Sequence, residues 1–315
     1  MIVKLIILAL VTAALGACAA EIASGGQLQI DSQDRVAASE IMGKLQNGKP
    51  VDYDGVVIEG NLDLSQASLN KTPLNHNHRW QVLLGRDESS DIVVSPIRIT
   101  NSVVRGNVNF QYAILKGFIN FENTTFQRTV NFKLTQFENI SRLHRATFDS
   151  DVFLDGAAFN REVDFSETRF SSPASLLWTE FRGNGDFQYS HFENRADFRN
   201  TIFNGSVNFW GSRFDKSVLF SEALFAREAY FNEVHLLQEA NFALARFERT
   251  ALFEYAQFGG YSDFRWVQFL GDAGFKKAHF MGPVDFRDSR FRSDADFRGC
   301  RFDVDFDIRG IEFSK

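Results

Sequence analysis

Apolar residues along this chain fall on a lattice whose steps are alternately five and six residues. Phe121, Phe126, Phe132 and Phe137 set the pattern, which is still intact at Phe286, Phe291, Phe297 and Phe302. Of the 35 phenylalanines, 32 lie on it, and the lattice points without Phe hold Leu115, Leu143, Leu154, Leu176, Leu236 and Ile308. Two residues before each point the side chain is mostly small or β-branched, as at Val130, Ala157, Ala196, Ser212, Ala245, Ala278 and Cys300. Steps of five and six do not suit a helix, which repeats at three and four. Two inward residues flanking one outward residue, followed by a turn, predict short strands. A fixed repeat over residues 110–313 predicts stacked units that bury their apolar faces only against their neighbours.

The circuit closes after 22 residues, not 11, because a ring of 11 has no interior to hold phenyl groups. The outward positions agree: at steps of 22 one column reads Arg169, His191, Arg213, His235, Gln257, His279, Arg301. Eleven residues away the column reads Glu180, Ile202, Leu224, Arg246, Gln268, Arg290, Glu312, so the coil distinguishes four sides. Neighbouring strands lie about 4.8 Å apart. Phe198, Phe220, Phe242, Phe264 and Phe286 should therefore pile into one column of rings. Burying a Phe contributes about 1.5–3 kcal/mol, while ordering each residue costs about 1–2 kcal/mol, so no coil is stable alone.

Ala196-Asp197-Phe198, Ala240-Asn241-Phe242, Ala295-Asp296-Phe297, Val207-Asn208-Phe209 and Val284-Asp285-Phe286 carry a resemblance. The chain resembles the pentapeptide-repeat family, built of Ala-Asp/Asn-Leu/Phe-x-x units. The resemblance implies an all-β fold, a right-handed quadrilateral β-helix (a solenoid). Five-residue units give twenty-residue coils, so the alternation here predicts two looser corners per coil. Some family relatives mimic duplex DNA and shield a topoisomerase, an alternative that an export signal and the basic column oppose.

Upstream of the lattice, residues 1–17 read as a signal peptide, with Lys4 before an apolar run too short to span a bilayer comfortably. Leu15-Gly16-Ala17-Cys18 reads as a lipobox, making Cys18 the lipidation site and the membrane a partner through that anchor. Ordinary signal-peptidase cleavage and an uncleaved anchor are the alternatives, and all three place the body outside the cytoplasm, at the cell envelope. Residues 18–30 suit a tether. Residues 31–50 predict an N-terminal capping helix, capped by Asp31 or Ser32, running through Val36, Ile41 and Leu45, and ended by Gly48 before Pro50. The helix would plug an open coil end, whose unpaired edges invite association. An end-to-end dimer is the corresponding oligomer. The β-helix itself is expected over 51–315, with Tyr53, Ile58, Leu64 and Leu69 on the lattice and an insertion at 71–92.

Net charge is −6 and no basic run occurs, so affinity for nucleic acid through phosphate neutralisation is not expected. The column Arg169, His191, Arg213, His235, His279 and Arg301 is a candidate stripe for an anionic partner, an acidic glycan or envelope protein. Its alternative is a solvated corner balanced by carboxylates on neighbouring columns. In the insertion, His76, His78 and Trp80 form a candidate loop site, although two histidines are too few to hold a metal. Cys300 occupies an inward position and reads as core filler. Recurrent Asp164, Asp186, Asp197, Asp263 and Asp285 read as turn formers, because Asp bonds nearby backbone amides. Trp178, Trp210, Trp266, Tyr189 and Tyr255 look exposed and scattered over the faces. No phosphate-binding loop, nucleophile elbow or zinc helix occurs, so neither catalysis nor a cofactor is expected. The expected role is an envelope-anchored scaffold or interaction surface. An enzyme or binding site on the insertion is the second alternative.

Overall fold

The computed structural model describes residues 34–73 and 89–314. Four sheets of 12, 12, 11 and 11 strands run the length of the coil. Along each, a strand pairs in parallel with the strand 22 residues on: Phe126 with Phe148, Ile119 with Ser141, Val130 with Val152, Gln136 with Ala158. Each coil thus traverses four short strands before returning to its starting side, as the lattice predicts.

The two step lengths correspond to two kinds of corner. In each five-residue step the chain makes a hydrogen-bonded turn, from Ala113 N to Phe110 O at 3.1 Å and from Thr124 N to Phe121 O at 3.2 Å. The third residue of each turn has positive φ, +63° at Tyr112 and +51° at Asn123, while the second does not, which defines a type II turn. Six-residue steps carry only a bend, as at Gly117. Two corners per coil are therefore looser, as expected from the departure from five-residue units.

Inside, the rings form continuous columns. Phe198, Phe220, Phe242, Phe264 and Phe286 stack at 4.8–5.0 Å between centroids, within 15° of parallel. The column Phe165, Phe187, Phe209, Phe231, Phe253, Phe275 and Phe297 faces it across the centre. Rings of the two columns alternate edge to face, for example Phe209 against Phe220 at 5.4 Å and Phe220 against Phe231 at 5.5 Å. Edge-to-face contact directs the positive ring edge at the negative face. Inward hydroxyls fill the narrow space beside the turns. Thr135 Oγ1 donates to Phe110 O at 2.7 Å and Thr201 Oγ1 to Leu176 O at 2.8 Å, satisfying buried carbonyls of the preceding coil.

At the N-terminal end the structure corrects the expected helix. Helix α1 is Ala38–Gln46; Arg35–Ala37 is a strand that pairs with Val57–Glu59. Val36 is therefore a strand residue, and the residue before the helix, Ala37, makes no side-chain cap. Asp31 and Ser32 lie outside the described residues. The C-terminal reading holds: Gly48 has φ +62°, Gly48 N donates to Leu45 O and Lys49 N to Lys44 O, a Schellman end that favours glycine. Ala38, Ile41 and Leu45 are buried in one core with Val51, Ile58 and Leu64 of the first coil.

The first coil is longer than the others. Val51 pairs with Ile97, Val57 with Val103 and Leu62 with Val108, each 46 residues on. The extra length leaves the coil as an antiparallel pair, Asn70–Pro73 against Ser89–Val93, added to one sheet edge. The ends of the 71–92 insertion are thus strands of the sheet. In the last coil Phe306, Ile308 and Phe313 are exposed.

Candidate functional site

The basic column assembles in register, and its surroundings match the alternative of a corner balanced by carboxylates. Arg169, His191, Arg213, His235, Gln257, His279 and Arg301 are consecutive Cα partners on one sheet. Two residues further along the chain, Glu193, Asp215 and Asp303 form a second column beside it. Arg169 Nη2 lies 2.6 Å from Glu193 Oε1, His191 Nε2 2.9 Å from Asp215 Oδ2, and Arg213 Nε 2.6 Å from Asp215 Oδ1. His279 Nε2 and Arg301 Nε each lie 2.8 Å from Asp303. Burial opposes ionisation of Asp215, and the bonds from His191 and Arg213 outweigh it, holding its carboxyl below the usual range. The bond from His279 does the same for Asp303, aided by Arg301. The ladder is a balanced corner, with His235 at the break where Leu237 and Gly259 replace the carboxylates.

The recurrent Asp and Asn residues cap turns. Oδ1 of Asp197, Asp263, Asp285, Asp296 and Asp307 each accepts the backbone N–H two residues on, at 2.9–3.2 Å. In all five cases that next residue but one is arginine, whose guanidinium returns to the same carboxylate at 2.6–2.7 Å. Up one face these pairs join through Arg265 to Asp285 at 3.7 Å and Arg287 to Asp307 at 3.4 Å. Their carboxylates are occupied by amides and guanidinium groups, an arrangement that braces successive turns. Tyr261 leans on the same network, its hydroxyl 3.3 Å from Asp285 Oδ2 and pushed up to about 12 by burial. Asp186 is the contrast: it bonds Gln188, and burial raises its carboxyl above the usual range.

Cys300 stands in a column where the other coils place Ala278, Ala256, Val234, Ser212, Ser190 and Thr168, all small or β-branched. Its Sγ donates to Phe275 O at 2.8 Å, and burial pushes the thiol up to about 11. That is the setting of a packed thiol, unlike a nucleophile.

Four overlapping segments, 179–224, 209–257, 231–279 and 275–315, match the family model described as pentapeptide repeats (9 copies). Residues 179–315 are a run of pentapeptide repeats. The 22-residue pairing continues without a break back to Val93, so the pentapeptide-repeat coil extends beyond the matched part. No curated protein and no solved structure matched the chain.

The corner aromatics of the pentapeptide-repeat coil are ordered, not scattered, and Trp178 is half-buried while Tyr189, Trp210, Tyr255 and Trp266 are exposed. Trp178 and Trp266 share one type II corner column, and Tyr189 and Tyr255 share the other, all with φ between +53° and +61°. Trp210 stands directly before Gly211 of the second column. Cys18, His76, His78 and Trp80 lie outside the described residues. Among the described residues no group of three or more His, Cys, Asp or Glu side chains is arranged to hold a metal, and no helix is long and apolar enough to cross a membrane.

Proposed function

We propose that this pentapeptide-repeat protein is an exported scaffold, anchored at the envelope through Cys18, that acts by binding and not by catalysis. The observation that supports this reading is the engagement of its outward ionic groups with one another and with turn amides. Groups so engaged are poorly placed to exchange protons with a substrate, whereas a braced surface is well suited to holding a partner in register. The partner class that fits is a protein of the envelope. An acidic glycan on the Arg169–Arg301 ladder is less well supported, because Glu193, Asp215 and Asp303 already occupy its cations.

The anchor is tested by metabolic labelling with palmitate and by fractionation. The wild-type chain is expected to label and to sediment with membranes, and Cys18→Ala to do neither. Cytoplasmic recovery of unlabelled, full-length protein would defeat the proposal. Pull-down from envelope fractions, with and without residues 74–88, then separates binding by the insertion from binding by the coil.

A further inference from the structure

One side of the coil differs from the others in charge. Between residues 162 and 255 the sheet through Val163–Asp164, Gly185–Asp186, Val207–Asn208, Ala229–Tyr230 and Ala251–Leu252 spans five successive coils. The stretches that form this side and its turn, 162–167, 184–189, 206–211, 228–233 and 250–255, hold seven carboxylates and no Lys, Arg or His. Yet the whole chain has 34 basic and 40 acidic residues, so the segregation is local. Arg227 and Arg249 stand at the adjoining corner near Glu228, and Glu167 is tied to Arg145 at 2.7 Å.

On this side two aromatic rings offer open faces. A Cβ on Gly211 would stand 2.6 Å from Tyr189 Cε1, so the Tyr189 ring lies against the next coil's backbone with 58% of the residue exposed. Trp210 is 43% exposed, and its backbone N–H is fixed by Asn208 Oδ1 at 3.0 Å. The protein itself shows what such corner rings accept. Lys277 Nζ sits 5.1 Å from the Tyr255 centroid and Arg265 Cζ 5.3 Å from that of Trp266. Among the described residues no cation stands over Tyr189 or Trp210. A cation above an aromatic face is attracted by the ring quadrupole, and more so in a negative surround.

We infer that this side docks an extended Lys/Arg-rich segment of a partner protein, whose cationic side chains settle over Tyr189 and Trp210 on this carboxylate-bearing side. The carboxylates lie on the coils either side of Trp210, at Asp164, Glu167 and Asp186 before it and Glu228, Glu233 and Glu254 after it, so an extended basic segment crossing these coils meets negative charge on both sides of the two rings. The inference goes beyond the anchored-scaffold reading and does not depend on export, so either can fail without the other.

Octalysine is the probe, titrated by calorimetry into the full chain at low ionic strength. Wild type is expected to bind, with affinity falling as salt rises. Tyr189→Ala/Trp210→Ala should bind about tenfold more weakly, the effect of losing two exposed cation–aromatic contacts. Gly211→Ala, which forces the Tyr189 ring off its seat, should weaken binding in the same direction. The control Leu244→Ala/Trp266→Ala, at the other corner column, should bind like wild type. All four side chains are exposed, and unchanged melting curves establish that the variants fold. Absence of octalysine binding by wild type, equal binding by the Tyr189/Trp210 variant, or an equal loss in the control would overturn the proposal. Preferential binding of octaglutamate would overturn it as well.

Discussion

Phe220→Ala probes the central physical claim, that stability resides in ring contacts between successive coils. Phe220 is fully buried, stacked on Phe198 at 4.8 Å and Phe242 at 5.0 Å, with edge contacts to Phe209 at 5.4 Å and Phe231 at 5.5 Å. Truncating a buried Phe costs about 3–5 kcal/mol from lost transfer energy and the cavity left behind. Four close aromatic neighbours, each worth about 0.5–1.5 kcal/mol beyond area, place this site at the upper end. Phe313 is 56% exposed and stacks only on Phe291, at 5.1 Å, so its truncation should cost about 1 kcal/mol or less. Because each coil contacts only its neighbours, the loss should be local. Hydrogen exchange read by mass spectrometry should show lost protection in the coils of Phe198, Phe220 and Phe242, while distant coils keep theirs. Phe220→Leu, which keeps most of the buried volume but loses the ring contacts, should cost less than Phe220→Ala, since Leu236 already fills a buried lattice point of this core. Equal effects of the two alanine variants, or a uniform loss along the coil, would refute the reasoning.

Acid should loosen the C-terminal coil first. Arg298 and Arg309 hold the carboxyls of Asp296 and Asp307 at about 2, below the unfolded value of about 3.9. Their contribution is present above pH ~4 and is lost as pH falls toward 2, so exchange protection at 295–309 should drop across that window. Asp186 has the opposite sign: its raised carboxyl makes ionisation unfavourable in the folded chain. Asp186→Asn should therefore raise the urea midpoint at pH 7, and the gain should vanish below pH ~4. Cys300, with its thiol at about 11, should react with iodoacetamide at pH 8 about a hundredfold more slowly than a free thiol of ordinary pKa near 8.5. Labelling at the free-thiol rate would show that Cys300 is not kept buried in the folded chain.

The inward lattice was legible because nearly every coil repeats the same residue type at the same place. The ring columns follow from Phe spacing, which repeats every 11 residues; the 22-residue coil with four sides needs also the interior the rings demand and the two unlike outward columns. The ladder left two readings open, a basic stripe or a corner balanced by carboxylates, because one column does not show its neighbour. Glu193, Asp215 and Asp303, two residues further along, also recur at multiples of 22 and announce the pairing. The corner aromatics hid for a similar reason: Tyr189 and Tyr255 differ by three coils and Trp178 and Trp266 by four, with eleven residues between the sets. Helix α1 was placed too early because Val36 continues its apolar spacing, yet a partner strand at Val57–Glu59, distant in sequence, claims Arg35–Ala37. The antiparallel pair at 70–73 and 89–93 gave little signal, since Asn70, Lys71 and Ser89 have no strand preference and tertiary pairing decides the outcome.

The corners carry the remaining step. Among the described residues, sixteen other than glycine adopt positive φ, and they are spaced by multiples of eleven along the two corner columns. A side chain in that region costs about 1–2 kcal/mol, a penalty glycine avoids, as it does at Gly156, Gly211, Gly299 and Gly310. Glycine at every corner would therefore give a more stable coil. Inward positions are held to Phe by packing and the turn-capping positions to Asp or Asn by the amide they bind, so neither has much latitude. The corner side chain points outward, braced from below by the coil and unconstrained by the core. Strain tolerated at positions free to be glycine is the kind that accompanies recognition. On that argument the two corner columns are where substitutions should alter binding most while disturbing the coil least, which alanine variants of Tyr189 and, as the control corner, Trp266, compared by melting and by octalysine titration, would check.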